Sequence, residues 1–126
     1  MNAIFSIFTA AIMTLTVSSA PYTSIEKAFK SNDSKELASL GKSKFLISVL
    51  GKESVYSQSQ ATLVLKNFFS QHPGSKFEYM FKGSDSSGDS FAIGNYTSKG
   101  QKFRVTIYFD KEGSSYKIES LRIEKN

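Results

Sequence analysis

The clearest amphipathic pattern in the chain predicts a helix over residues 57–72. Its apolar positions recur at the three- and four-residue spacing that places side chains on one face of an α-helix. Ser57 and Gln60 form a capping-box sequence at its start, and Pro73-Gly74 ends it. The pattern predicts one broad buried stripe, which consists of Ala61, Val64, Leu65, Phe68 and Phe69.

Two short helices and a hairpin are predicted before this helix. Residues 23–26 resemble a capping box that begins the first helix, and residues 33–36 resemble a second box that begins the next. Residues 44–50 have apolar side chains on both faces, which predicts a strand covered on both sides. A turn at residues 51–54 leads to a short return strand that begins at Val55-Tyr56.

A four-strand meander is predicted after the helix, over residues 75–83, 90–97, 101–110 and 116–124. The alternation of the last strand slips, which predicts a β-bulge near Glu119-Ser120. We expect the inward face of the meander to be mainly aromatic and aliphatic. The predicted inward residues are Phe77, Tyr79, Phe81, Phe91, Ile93, Asn95, Phe103, Val105, Ile107 and Phe109.

The order of these elements predicts a single α+β domain over residues 21–126. In this fold a strongly bent mixed sheet, made of a short hairpin plus four-strand meander, wraps on the long helix and is closed by the two short N-terminal helices. No Asp, Glu or His falls on the predicted inward face. A core filled by rings is therefore favoured over a ligand pocket. If a pocket exists, Tyr79 and Asn95 could orient a small ligand beside Phe81 and Phe103.

The N-terminal segment has the features of a signal peptide. Residues 1–20 contain no charged side chain, residues 3–17 are largely apolar, and residues 17–20 are small. A membrane anchor is the alternative, but the segment is short and rich in hydroxyl groups, and no basic cluster flanks it. We expect cleavage near residues 18–20 and export to the periplasm or the extracellular space, with no stable membrane anchor in the mature form.

Composition narrows the chemistry further. The chain has no cysteine, which excludes disulfides, thiolate metal sites and thiol nucleophiles. His72 is the only histidine and has no second His or Cys to complete a transition-metal site. Asp85 and Asp89 lie in a turn-rich segment that lacks the spacing of a calcium-binding loop. We expect no metal and no cofactor.

The charge of the chain is positive, with a formal net charge of +5. The outward parity of the meander places basic residues, with Glu78 and Glu119 among them, on the other sheet face. These residues are Lys76, Lys82, Lys102 and Arg104. This face could bind an anionic polymer, form a homodimer through the interleaved Tyr96, Tyr108 and Met80, or simply be solvated. Export argues against nucleic acid as a partner.

Short motifs over residues 24–125 also resemble those of a known family. They are Gly51-Lys52-Glu53, VYSQSQA at 55–61, LKNFF at 65–69, FAIG at 91–94, FRV at 103–105 and LRIEK at 121–125. The chain resembles a family of small secreted bacterial proteins of unknown function with a nuclear-transport-factor-2-like, or cystatin-like, cone fold. The resemblance implies this fold and secretion, and it implies no catalytic residues.

Three hypotheses for the function follow. The first is a non-enzymatic exported domain that binds a protein partner or a small ligand in the cell envelope. The second is a pocket enzyme of the isomerase or dehydratase type, which requires an inward carboxylate close to a tyrosine. The third is a polyanion-binding module that uses the basic outer face.

Overall fold

The computed structural model describes residues 20–84 and 90–126. The predicted signal peptide, apart from Ala20, and the Asp85–Asp89 turn lie outside the described residues. The elements follow the predicted order. They are α1 (Tyr22–Ser31), α2 (Ser34–Ser39), β1 (Gly41–Val49), β2 (Lys52–Ser57), α3 (Gln58–Gln71), β3 (Lys76–Ser84), β4 (Ser90–Ser98), β5 (Gln101–Glu112) and β6 (Ser115–Lys125).

The six strands form one mixed, open sheet in the order β2-β1-β6-β5-β4-β3. All neighbouring strands are antiparallel except β1 and β6, which run parallel. This parallel pairing joins the N-terminal hairpin to the C-terminal meander. The predicted bulge is confirmed, because Tyr108 pairs with Ser120 whereas Phe109 pairs with Ile118, which leaves Glu119 as the extra residue.

Helix α3 has the predicted start and buried face. The Ser57 Oγ accepts from the Gln60 N–H at 3.3 Å, and the Gln60 Oε1 accepts from the Ser57 N–H at 3.1 Å. This reciprocal capping box satisfies two backbone donors that a helix start leaves free. Ala61, Leu65, Phe68 and Phe69 are buried and Val64 is half-buried, as the stripe predicts.

The two short helices begin differently from each other. The Asp33 side chain accepts from the Glu36 N–H at 3.0 Å, which confirms the second predicted cap. The predicted box at Thr23 is wrong, because α1 already begins at Tyr22, after Pro21, with no side-chain cap. Thr23 therefore lies inside the first turn of the helix rather than before it. Asn32 ends α1 in the left-handed region, with φ of 53°.

The β1–β2 hairpin closes on a two-residue turn. Leu50 and Gly51 both have positive φ, 50° and 90°, and Val49 pairs with Lys52 across the turn. This is the geometry of a type I′ turn, whose twist suits a hairpin. The predicted turn at residues 51–54 is therefore wrong, since β2 already begins at Lys52.

The predicted orientation of β4 is also wrong. Ser90, Ala92, Tyr96 and Ser98 are buried on the side of the helices, whereas Phe91, Ile93 and Asn95 lie on the outer face. The reason is the space that the helix-side rings need. A Cβ atom on Gly94 would lie 2.5 Å from the Phe77 ring, so no side chain fits at this position on the helix side of β4.

A β-bulge turns Phe81 outward as well. Tyr79 pairs with Gly94 and Phe81 pairs with Ile93, so Met80 is the extra residue in β3. The bulge changes the alternation of the strand after Tyr79. Phe81 is consequently 49% exposed, and the prediction that it faces inward is wrong.

Aromatic rings fill the space between the helices and the sheet. The Phe29 ring of α1 stacks on Phe77 at 4.7 Å, and the Phe68 ring of α3 contacts Phe103 edge-on at 5.3 Å. Tyr96 touches both helices, with its ring 5.6 Å from Phe29 and 5.8 Å from Phe68. These centroid distances are those of favourable ring pairs, and the interior is a packed core.

A partly buried polar network joins α1 to the loop after α3. The Asn32 Nδ2 donates to the Gly74 carbonyl at 2.9 Å and to the Tyr96 hydroxyl at 3.0 Å, and the Gly74 N–H donates back to Asn32 Oδ1 at 3.2 Å. The Tyr96 hydroxyl donates in turn to the His72 carbonyl at 2.6 Å. Each of these partly buried polar groups therefore has a partner.

We predict that Asn32→Ala lowers the free energy of unfolding by about 2–4 kcal/mol, because it removes the partner of the Gly74 N–H and the donors to the Gly74 carbonyl and the Tyr96 hydroxyl. Urea denaturation checks this. Asn32→Gly loses the same hydrogen bonds but tolerates positive φ, so its loss is smaller by about 1 kcal/mol. A change below about 0.5 kcal/mol for Asn32→Ala, the size of an ordinary surface substitution, would contradict the role of the network.

Candidate functional site

Tyr79 and Phe103, two residues of the predicted inward site, pack within the core. Phe103 is fully buried, and its ring lies 4.9 Å from the ring of His72. The Tyr79 hydroxyl donates to the Tyr22 carbonyl at 2.7 Å, and its ring contacts Phe77 edge-on at 5.0 Å. Burial raises the pKa of Tyr79 far above its ordinary value, and the nearby Glu26 carboxylate raises it further.

Asn95 and Phe81, the other two residues of that site, lie on the outer face. The Asn95 Oδ1 accepts from the Asn126 Nδ2 at 3.2 Å. The four residues that were predicted to share one pocket are therefore divided between the two faces of the sheet.

Three of the four predicted basic residues share the outer face. Lys76 pairs with Thr97, which pairs with Lys102, and Arg104 follows two residues later on β5. Lys82 is the exception, because its ammonium group lies over the rings of Tyr22 and Tyr79, 5.1 and 4.9 Å from their centroids. The bulge at Met80 reverses the side on which Lys82 projects, so its assignment to the outer face is wrong.

Acidic residues lie among the remaining basic residues of the outer face. Glu78 pairs with Asn95, Asn95 pairs with Arg104, and Arg104 pairs with Glu124 across neighbouring strands. The Arg122 guanidinium also contacts the Glu53 carboxylate at 3.1 Å. Charges of both signs therefore alternate over this part of the outer face.

An exposed aromatic cluster occupies the other part of the outer face. Its members are Phe81, Phe91 and Tyr108, with ring centroids 5.2 Å apart for Phe81 and Phe91 and 5.7 Å apart for Phe91 and Tyr108. Phe81 and Tyr108 are about half exposed, at 49% and 50%. Ile93 lies beside the cluster, opposite Phe81. Three neighbouring strands thus present rings to solvent on a sheet face that no described helix covers, which is unusual.

Sequence reasoning correctly placed Tyr108 on the outer face but missed Phe81 and Phe91, because β3 has a bulge and β4 has apolar residues at both parities. The signal that could have revealed it is the size of the side chains. Ser90, Ala92 and Gly94 alternate with the larger Phe91 and Ile93, and the smaller set fits against a crowded core. Tyr96, predicted to lie on the outer face, belongs to that inward set and is fully buried.

The titratable groups of the described residues form no recognisable catalytic set. The Lys42 ammonium donates to Asp110 at 2.7 Å and lies 4.0 Å from Glu112. This ion pair lowers the pKa of Asp110 and raises the pKa of Lys42. Within residues 20–84 and 90–126, no three His, Cys, Asp or Glu side chains are grouped to hold a metal ion.

A groove lies between α3 and the β1–β2 hairpin, on the helix side of the sheet. Its volume is about 310 Å³. Val64, Asn67, Phe68 and Gln71 form one wall, at the spacing of one helix face, and the hairpin forms the other. The sequence pattern missed this groove because Val64 and Phe68 also belong to the stripe that faces the core.

The fold places the protein in a known structural class. A nuclear-transport-factor-2-like protein of unknown function from Shewanella baltica is similar over 83% of this chain and 87% of its own, with 15% identity and a TM-score of 0.64. A domain of unknown function with a cystatin-like fold from Nostoc punctiforme is similar over 83% and 72%, with 11% identity and a TM-score of 0.67. The predicted fold class, an α+β nuclear-transport-factor-2-like domain, is confirmed.

A family model also identifies the family of the chain within this class. The family model "Domain of unknown function (DUF4783)" matches residues 22–124, and the chain belongs to this family. A DUF4783 family protein from Bacteroides uniformis is 27% identical over 86% of this chain and 98% of its own, with a TM-score of 0.77. The predicted resemblance to a family of unknown function is thereby confirmed. No curated protein matches the chain.

No helix in residues 20–84 and 90–126 is long and apolar enough to cross a membrane.

We predict that Tyr79→Phe makes stability less dependent on alkaline pH. The pKa of Tyr79 is higher in the folded state than in the unfolded state, so its stabilising contribution is present at neutral pH and falls as pH rises above about 10. The variant loses this contribution together with the hydrogen bond to Tyr22, which is worth about 1 kcal/mol at neutral pH.

Urea denaturation at several values between about pH 8 and about pH 11.5, a range that includes the ordinary tyrosine pKa of about 10, measures this effect. The wild-type free energy of unfolding falls more steeply with pH than that of the variant. Tyr108→Phe, at an exposed position, is the control for loss of a phenol hydroxyl. Parallel pH profiles for wild type and Tyr79→Phe would show that Tyr79 does not titrate differently in the folded state.

Proposed function

We propose that the protein is an exported, non-enzymatic domain that acts by associating with protein in the cell envelope. The observation that carries the proposal is the exposed aromatic cluster of Phe81, Phe91 and Tyr108 on a sheet face that no helix of the described chain covers. Exposed contiguous rings are typical of association surfaces. The uncharged, apolar character of residues 1–20 supports export.

The occupant that fits this face best is a second copy of the chain. The aromatic cluster lies on β3, β4 and β5, and a second apolar patch, Leu46 and Val55, lies on β1 and β2. Ser120 lies between the two patches, paired with Tyr108 on one side and Leu46 on the other. A two-fold axis parallel to the strands places the cluster of one protomer over Leu46 and Val55 of its partner.

The size of the face supports the same occupant. Six strands about 4.8 Å apart, each contributing about seven residues at about 3.3 Å, span a face of roughly 700 Å². Two such faces bury about 1,400 Å², which is within the range of standard stable interfaces. The apolar pattern on both sides of β1 is also that of a strand covered on two faces, and the helices cover only one of them.

The pairing of charges is compatible with this association. Arg104 and Glu124 are neighbours on the outer face, and Arg122 contacts Glu53. A face with both signs of charge can approach a copy of itself without net repulsion, whereas a uniformly basic face could not.

The polyanion-binding alternative has less support. Lys82 lies away from the other basic residues, and Glu78 and Glu124 flank Arg104. The enzyme alternative needs a carboxylate in an enclosed cavity close to Tyr79. Glu26 is the nearby acid, but its carboxylate accepts from the Lys30 ammonium at 2.7 Å on the surface of α1.

We predict that the protein is a dimer at micromolar concentration and that Tyr108→Asp weakens the dimer at least 100-fold, a loss of about 3 kcal/mol that is typical of a central aromatic residue. Sedimentation velocity over a concentration series measures the association. The substitution buries a carboxylate against Leu46 and Val55 of the partner, which is unfavourable without a cation.

Leu63→Asp is the matched control, since Leu63 is 68% exposed on α3, on the other side of the sheet. It leaves the dimer unchanged, and thermal unfolding of both variants verifies that the fold is intact. A wild-type protein that remains monomeric up to about 100 μM, far above the dissociation constants of specific interfaces of this size, would refute the proposed association. Equal dimerisation of wild type and Tyr108→Asp would place the interface elsewhere.

A further inference from the structure

The groove between α3 and the hairpin has an apolar base and a polar rim. Val64 and Phe68 of α3 face it from one side, and Leu50 at the tip of the hairpin faces it from the other. Its volume of about 310 Å³ is at the lower end of the range for small-molecule sites. The groove is separate from the outer sheet face, because α3 packs on the opposite side of the sheet.

The polar groups at the rim favour an anion. Lys52 lines the groove and forms no ion pair with any residue of the described chain. Asn67 and Gln71 supply side-chain amides, joined only by a long contact of 3.5 Å. No Asp or Glu is among the residues that line the groove. An ammonium group and amide donors without a neighbouring carboxylate are suited to a carboxylate ligand.

The backbone at Leu50 is a second, independent sign of a site. Leu50 has φ of 50°, a left-handed conformation that costs a residue with a Cβ atom roughly 1–2 kcal/mol. Asn would fit this position of a type I′ turn better. The Leu50 side chain is 40% exposed and lines the groove, so part of its apolar surface is open to a ligand. Backbone strain at a residue whose apolar side chain lines a groove is typical of a functional position.

We propose that this groove binds a small monocarboxylate with a short apolar body. The carboxylate lies at the ammonium group of Lys52, within reach of the amides of Asn67 and Gln71. The apolar body lies on Val64 and Phe68, under the side chain of Leu50. This site does not depend on association through the outer face, and the two are tested by different measurements.

Titration of the ¹⁵N-labelled protein with octanoate, followed by amide chemical shifts, tests the proposal. Saturable shifts are expected at the groove face of α3 and at the tip of the hairpin. The neutral and cationic analogues, 1-octanol and octyltrimethylammonium, share the apolar body. The proposal requires octanoate to bind at least tenfold more tightly than either analogue, because only octanoate can pair with Lys52.

Three variants test separately what the charge of Lys52 and the apolar contact of Leu50 contribute to binding, and whether Leu50 serves the fold. Lys52→Gln weakens octanoate binding about tenfold and leaves 1-octanol unchanged, whereas Lys66→Gln, on α3 but outside the groove, changes neither. Leu50→Asn weakens both ligands but does not lower the midpoint of thermal unfolding, because Asn relieves the strain in the turn.

Several results would overturn the proposal. These are shifts that map outside the groove, equal affinity for the three probes, or an equal effect of Lys52→Gln and Lys66→Gln. A lower unfolding midpoint for Leu50→Asn would show that Leu50 serves the fold rather than a ligand. The oligomeric state of the protein is measured separately, so failure here leaves the proposed association unaffected.

Discussion

The packing of aromatic rings between the helices and β4 determines which side chains of β4 face outward. The Phe77 ring occupies the space above Gly94, so β4 can carry no side chain at that position. Side chains alternate along a strand, and the larger Phe91 and Ile93 must therefore face outward. The outward positions of Phe91 and Ile93 therefore follow from how the core is filled.

The parallel pairing of β1 with β6 positions the groove, which is the second candidate surface of the domain. It joins the hairpin to the meander, and the Leu50 N–H donates to the Ile123 carbonyl at 2.9 Å. This bond fixes the tip of the hairpin against β6, while the capping box fixes the start of α3 directly after β2. The two walls of the groove therefore hold their positions without a ligand, which reduces the entropy lost on binding.

The sequence predicts the parts of the fold that are encoded by local periodicity. The cap and stripe of α3, the meander and the bulge at Glu119 all follow from spacing within one element. The orientation of β4 does not, because both of its faces are apolar and only contacts with other elements distinguish them. The bulge at Met80 has no local signal either, and it decides where Phe81 and Lys82 project. The candidate surfaces were missed for this reason: they depend on tertiary packing.

Each candidate surface includes residues that the fold itself does not require. Phe81 and Tyr108 expose half of their surface to solvent, and Leu50 adopts a strained backbone to expose its side chain. A sequence shaped by folding alone would place polar residues at the first two positions and Asn at the third. In a domain whose polar core network of Asn32 and Tyr96 is fully paired, such local departures are best explained by binding.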